Sequence, residues 1–139
     1  MSHSSIRIMF DTNVLISAIL NDRSTPNTAL LKSFEMPYVL ILCDQIVDEL
    51  RRIYNTKFPS RIPDMERFLS TAHYDLITLT AEDTVVFDEG AIRDIDDRPI
   101  LRAARKAGVG ILISGDKDFT ESTITNPKIM TAAQFVQMS

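Results

Sequence analysis

The stretch "IRIMFDTNVLISAIL", residues 6–20, decides the fold. Residues 6–10 are mostly apolar and read as a short buried strand. Asp11-Thr12-Asn13 then interrupts, and apolar character resumes to Leu20, which predicts a helix over residues 13–20. A carboxylate at the join of a buried strand and a buried helix is costly without hydrogen bonds or a cation. Asp11 is therefore either the cap of the helix or a ligand held at the strand's carboxyl end.

Working outward, strand-like and helix-like segments keep alternating. Helices are predicted over residues 25–34, with Thr25 as N-cap and Pro26 at the first helical position, and over 44–54, capped by Asp44. Pro59 and Pro63 break the chain before a short helix at 64–72. Later helices are predicted over 97–107, ended by Gly108, and over 131–136. Strands are predicted at 38–42, 76–79, 111–114 and 128–130, and residues 85–87 are too short to assign. There is no repeat, low-complexity tract or linker, so residues 1–139 are expected to form one domain. Continuously apolar strands alternating with helices predict a three-layer α/β/α fold around a parallel sheet of four to five strands. Ligands in such folds gather at the carboxyl ends of the strands.

Composition narrows the chemistry. Cys43 is the single cysteine, which excludes an internal disulfide or a thiolate metal cluster. His3 and His73 are the only histidines, which disfavours a histidine-rich zinc site. The beginning of the chain lacks signal-peptide character, and no apolar run approaches the roughly 18–20 residues that span a bilayer. A cytoplasmic location without membrane partners is the expectation. The net charge of −4 argues mildly against a protein that coats nucleic acid, but not against an enzyme whose bound cations turn an acidic pocket into a phosphate site.

The acidic residues fall at telling places. Asp11 follows the first strand; Asp116 and Asp118 follow the fourth in "ILISGDKDF". Caps and turns are the ordinary alternative for each. Glu49 flanks the apolar stripe Ile46, Leu50, Ile53 of its helix, while Asp48 points away. An ion pair with Arg52 is the ordinary alternative there. In "RDIDDRPIL", Asp94, Asp96 and Asp97 crowd ahead of a helix and repel one another unless solvent, arginines or a metal offset them; a surface loop neutralised by Arg93 and Arg98 is the ordinary alternative. Taken together, four carboxylate stations at one end of a parallel sheet form an oxygen-only set that suits Mg²⁺ or Mn²⁺. One or two such ions, about 3.5–4 Å apart if two, serve phosphodiester hydrolysis.

The motifs "FDTNVLISAIL", "IVDEL", "RDIDDRPILRAARKAG" and "ILISGDKDF", in this order, resemble those of the PIN-domain ribonucleases, in particular the small prokaryotic PIN proteins that serve as toxins of toxin–antitoxin pairs. The resemblance runs from about Ile6 to Phe135. It implies a PIN-like parallel sheet and endonucleolytic cleavage of RNA dependent on Mg²⁺ or Mn²⁺. It matches Asp11, Glu49, Asp97 and Asp116 to the family's acidic positions, and Asn13 and Ser114 to polar positions that support them. The crowding "DIDD" departs from the family pattern, so Asp94 and Asp96 stand beside Asp97 for the third position, and Asp118 beside Asp116. The resemblance also implies an antitoxin partner and a homodimer.

RNA contacts are expected from Arg51, Arg52, Lys57 and Arg61 near the end of the third helix, and from Arg98, Arg102, Arg105, Lys106 and Lys117 near the acidic loop. Ordinary solvated faces are the alternative, above all for Arg105 and Lys106. Phe58 reads as a core anchor or a stacking element. Rival functions fit less well. A haloacid-dehalogenase-type phosphatase needs an aspartate where Asn13 stands, and a receiver domain needs an acidic pair at the first strand. A catalytically silent PIN-like domain that binds RNA or protein has no need of four acidic stations.

Overall fold

The computed structural model describes residues 5–80 and 88–138. Five parallel strands form one sheet: β1 (Ile6–Phe10), β2 (Tyr38–Cys43), β3 (Asp75–Ile77), β4 (Ile111–Ile113) and β5 (Lys128–Met130), in the order β3-β2-β1-β4-β5. The flanking helices are α1 (Thr12–Leu20), α2 (Thr25–Lys32), α3 (Asp44–Lys57), α4 (Ile62–Thr71), α5 (Arg98–Lys106), α6 (Lys117–Thr120) and α7 (Ala132–Gln137). Residues 85–87 fall outside the described residues.

β1 is the middle strand of the five. Ile8, Met9 and Phe10 are wholly buried and pair with Leu40 and Ile41 of β2 on one side and with Ile111 to Ile113 of β4 on the other. The chain leaves β1 toward β2 and later returns to its other side as β4, so the order reverses between β1 and β4. The loops leaving two such strands diverge and open a crevice at their carboxyl ends. Asp11 and Ser114 stand at that reversal. The Asp11 N–H donates to the Ile113 carbonyl at 2.9 Å, and the Ser114 N–H to the Met130 carbonyl at 2.9 Å, so both are locked into the ladder.

Several predicted boundaries move for local reasons. Ser24, not Thr25, caps α2: its Oγ accepts from the Asn27 N–H at 3.1 Å, and the helix stops at Lys32 rather than 34. Asp44 is the first helical residue of α3 rather than its cap. Its carboxylate takes the Gln45 N–H and the Leu79 N–H, which draws Leu79 out of β3 and leaves that strand at Asp75–Ile77. Pro63 does not break α4 but sits in its first turn, where a missing N–H costs nothing. Gly108, at φ +66°, ends α5 as predicted: its own N–H bonds to the Arg105 carbonyl and that of Val109 to the Ala104 carbonyl. Phe58 packs on the core against Tyr54, with ring centroids 5.7 Å apart.

Candidate functional site

Asp11 stands at the carboxyl end of β1, where it caps α1. It is 5% exposed. One carboxylate oxygen accepts from the Val14 N–H at 3.0 Å and so caps α1. The other accepts a short hydrogen bond from the Ser114 hydroxyl, whose oxygen in turn accepts the Asp116 N–H at 3.0 Å. A buried relay thus joins the end of β1 to the loop after β4. Asp116 caps α6 through the Asp118 N–H at 2.8 Å, keeping its own side chain half-buried at the crevice. Among the described residues the support for Asp11 comes from Ser114 and Val14. Asn13 makes no hydrogen bond to it, and its side chain stands exposed on α1.

Asp97 departs most from the ordinary reading of an N-terminal aspartate. It stands at the N-cap position of α5 but makes no capping hydrogen bond, and Pro99 in the first turn has no N–H to offer. One of its carboxylate oxygens is buried without a hydrogen-bond partner. Burial pushes its pKa up to about 7, and the charges of Asp94, Asp116, Asp11 and Glu49 push the same way. Burial also raises Asp11, against the opposing hydrogen bonds from Ser114 and Val14, with Asp116 and Glu49 adding to the rise. The four stations therefore lie close enough to repel one another. Asp11, Glu49, Asp97 and Asp116 form no ion pair among the described residues, so the Glu49–Arg52 pair, the ordinary alternative for Glu49, is not made.

The remaining acids of the cluster are placed differently. Carboxylate oxygens of Asp94, Asp97 and Asp118 come within 4.8 Å of one another. Asp118, however, is paired with Arg93 at 2.9 Å, and Asp94 is turned onto the Asp96 N–H. Asp96 is exposed, and its carbonyl is held by the Gln45 side chain of α3 at 3.2 Å. Arg93 thus neutralises Asp118 rather than the "DIDD" run. Arg98 bonds the Ile92 carbonyl at 2.9 Å, so neither flanking arginine offsets Asp97.

A row of arginines on α5 fixes the loop that delivers this run. Arg98 holds Ile92; Arg102 grips Glu89 with two hydrogen bonds of 2.6 Å; Arg105 grips Asp88 at 2.9 and 3.0 Å. The partners run backward along the chain as the helix runs forward, so residues 88–92 are laced antiparallel to α5. Glu89 is buried, and nothing in the sequence pattern had singled it out. This lacing occupies Arg98, Arg102 and Arg105, and Lys106 donates to the Thr78 carbonyl at 2.8 Å. Arg51 is likewise paired with Glu66 at 3.1 Å, and Arg61 with Asp64 at 2.6 Å. Arg52, Lys57 and Lys117 stand exposed without an ion pair among the described residues.

The acid cluster has a consequence for stability. In the unfolded chain Asp97 titrates near its ordinary 3.8, whereas in the fold it keeps its proton until about pH 7. Across that window the folded state binds more protons, so stability falls as pH rises and levels off above about 7. Asp11 contributes with the same sign. Thermal melts in EDTA between about pH 4.5 and 8 should show a declining midpoint, and a midpoint that climbs over this range would contradict the proximity of the carboxylates.

A family model described as PIN domain matches residues 7–118. The uncharacterized protein MJ1680 of Methanocaldococcus jannaschii is 29% identical over 124 residues, covering 85% of this chain and 76% of that protein. The crystal structure of VapBC2 from Rickettsia felis, bound to a DNA fragment from their promoter, superposes with a TM-score of 0.69 at 17% identity. The match covers 91% of this chain and 98% of that one. At that identity the likeness speaks for the fold.

Proposed function

The chain belongs to the PIN-domain family, and on that premise we propose that it is an endoribonuclease dependent on Mg²⁺ or Mn²⁺, the toxin component of a toxin–antitoxin pair. The observation that carries the reading is Asp97: a carboxylate with a buried, unpartnered oxygen, set among Asp11, Glu49 and Asp116, none of which has an ion-pair partner among the described residues. Such a set is stable as anions only when a cation joins it. Donors that are all oxygen, without histidine or cysteine, fit a hard divalent ion.

Asp11, Glu49, Asp97 and Asp116 are the residues proposed to hold the ion. When bound, it supplies Lewis-acid activation of water and screens the phosphate charge. The chain's own part is positioning. The Ser114 relay fixes Asp11 and Asp116 at one spacing, and the arginine lacing of residues 88–92 brings Asp97 to them. Asp118 is the weaker candidate because Arg93 already satisfies it. Arg52, Lys57 and Lys117 are free to meet the phosphates of a single strand. No helix among the described residues is long and apolar enough to cross a membrane.

Purified protein incubated with single-stranded RNA should cleave it with Mg²⁺ or Mn²⁺ and not with EDTA; cleavage that survives EDTA would overturn the metal reading. A divalent ion should also raise the melting midpoint, more at pH 8 than at pH 5, because below about pH 7 it must displace the Asp97 proton. The toxin role predicts growth arrest on expression and its relief by a small protein encoded alongside. Expression without effect on growth would leave a nuclease that is not a toxin.

A further inference from the structure

A cleft of 390 Å³ opens directly beside Asp116. Gly115 and Asp116 of the loop after β4, Val14 of α1, Pro26 of α2 and Ala132 of α7 line it. Its size lies near the lower limit of the roughly 300–1,000 Å³ typical of small-ligand sites, which suits one nucleotide unit and not a duplex. No lysine or arginine lines it. A phosphate therefore gains nothing there, whereas an uncharged ring does.

Two polar side chains face this cleft. Asn13 and Ser17 are four residues apart on α1, hence on the same face of the helix, and both are exposed. Neither side chain makes a hydrogen bond among the described residues. The family resemblance assigned Asn13 to the support of the carboxylates, a task that Ser114 and Val14 perform instead. An amide offers a donor and an acceptor side by side, the pattern that matches a base edge. At Gly115 a Cβ would meet nothing within 4 Å, and its φ is not one that demands glycine, so a larger side chain fits there without a clash.

We propose that this cleft is a nucleoside subsite, which takes the unit adjoining the cleaved phosphate and reads its base through Asn13 and Ser17. The inference rests on the nuclease reading and adds a sequence preference to it. Single-stranded RNA is recognised by such splayed-out bases.

The test uses ¹⁵N-labelled full-length protein in EDTA, titrated with adenosine, cytidine, guanosine, uridine and ribose. Nucleosides should shift the Asn13 side-chain amide and the backbone amides of Ser17, Gly115 and Ala132. One base should bind about fivefold or more tightly, the lower end of what one bidentate pair discriminates. Ribose alone should shift none of them. Asn13→Ala should flatten the preference, both here and in the products cut from random-sequence RNA with Mn²⁺. Gly115→Val should abolish the shifts while leaving the melting midpoint unchanged, since its side chain enters open space. Absence of these shifts with every nucleoside, equal shifts with ribose, or a preference that survives Asn13→Ala would overturn the subsite. Nucleoside shifts in a protein that cuts no RNA support the subsite and count against the nuclease. Cutting by a protein whose cleft ignores nucleosides overturns the subsite alone.

Discussion

Asp11→Asn should abolish ion-dependent RNA cleavage while leaving the protein as stable as before or more so. Loss of an outer-shell partner typically costs about 10–100-fold in metal affinity or activity, so removing a ligand itself should cost about 100-fold or more. The fold should tolerate the change because an amide oxygen still accepts the Val14 N–H that caps α1. The amide nitrogen can meet the Ser114 oxygen in place of the existing short bond. What disappears is a buried charge that Asp116 and Glu49 already disfavour. Activity and stability moving in opposite directions is the signature of a functional site rather than a structural cap. Cleavage assays and thermal melts on the same preparation separate the two. A variant that melts early and cuts normally would return Asp11 to the role of a helix cap.

Arg102→Met should have the largest effect on stability. It takes two hydrogen bonds of 2.6 Å and the facing positive charge from the Glu89 carboxylate, which is 6% exposed. Removing one partner of a buried pair costs about 3–5 kcal/mol. The Arg102 side chain is 27% exposed, so we expect about 3 kcal/mol, at the lower end. For a chain of this length that lowers the melting midpoint by roughly 10 °C. The double variant Arg102→Met, Glu89→Leu should recover much of the loss, because the buried charge that had lost its arginine is gone. A single variant that melts within about 1 °C of the wild type would show that the lacing of residues 88–92 onto α5 contributes little.

How legible this was in the sequence depended on the range of the signal. β1 and α1 could be read because burial and capping are local: the apolar run, the aspartate and the renewed apolar run fix the strand, the turn and the helix within fifteen residues. The parallel sheet followed from strands that are apolar throughout. Asp97 was visible as one of three crowded aspartates and as a match to an acidic position of the family, but no pattern reveals that its carboxylate goes unbonded. The Glu89–Arg102 pair joins residues thirteen apart across an irregular loop, where no periodicity operates. Glu89 therefore looked like any solvated acid, and α6, with four residues, is too short to show a period. The arginines were read as surface charge available to RNA. Their pairing with Glu66, Glu89 and Asp88 depends on tertiary neighbours that the sequence does not announce. Asn13 was matched by the resemblance to a supporting position, but it makes no hydrogen bond to Asp11 among the described residues and it lines the cleft beside Asp116 instead.

The central claim is that Asp11, Glu49, Asp97 and Asp116 together form a divalent-cation centre, and titrating ¹⁵N-labelled protein with Mn²⁺ tests it most directly. Paramagnetic broadening falls off steeply with distance from the ion. At substoichiometric Mn²⁺ the amide signals around these four residues should vanish first, and Asp97→Asn should weaken the effect. Broadening that centres elsewhere, or that needs Mn²⁺ in large excess and is indifferent to Asp97→Asn, would contradict the account.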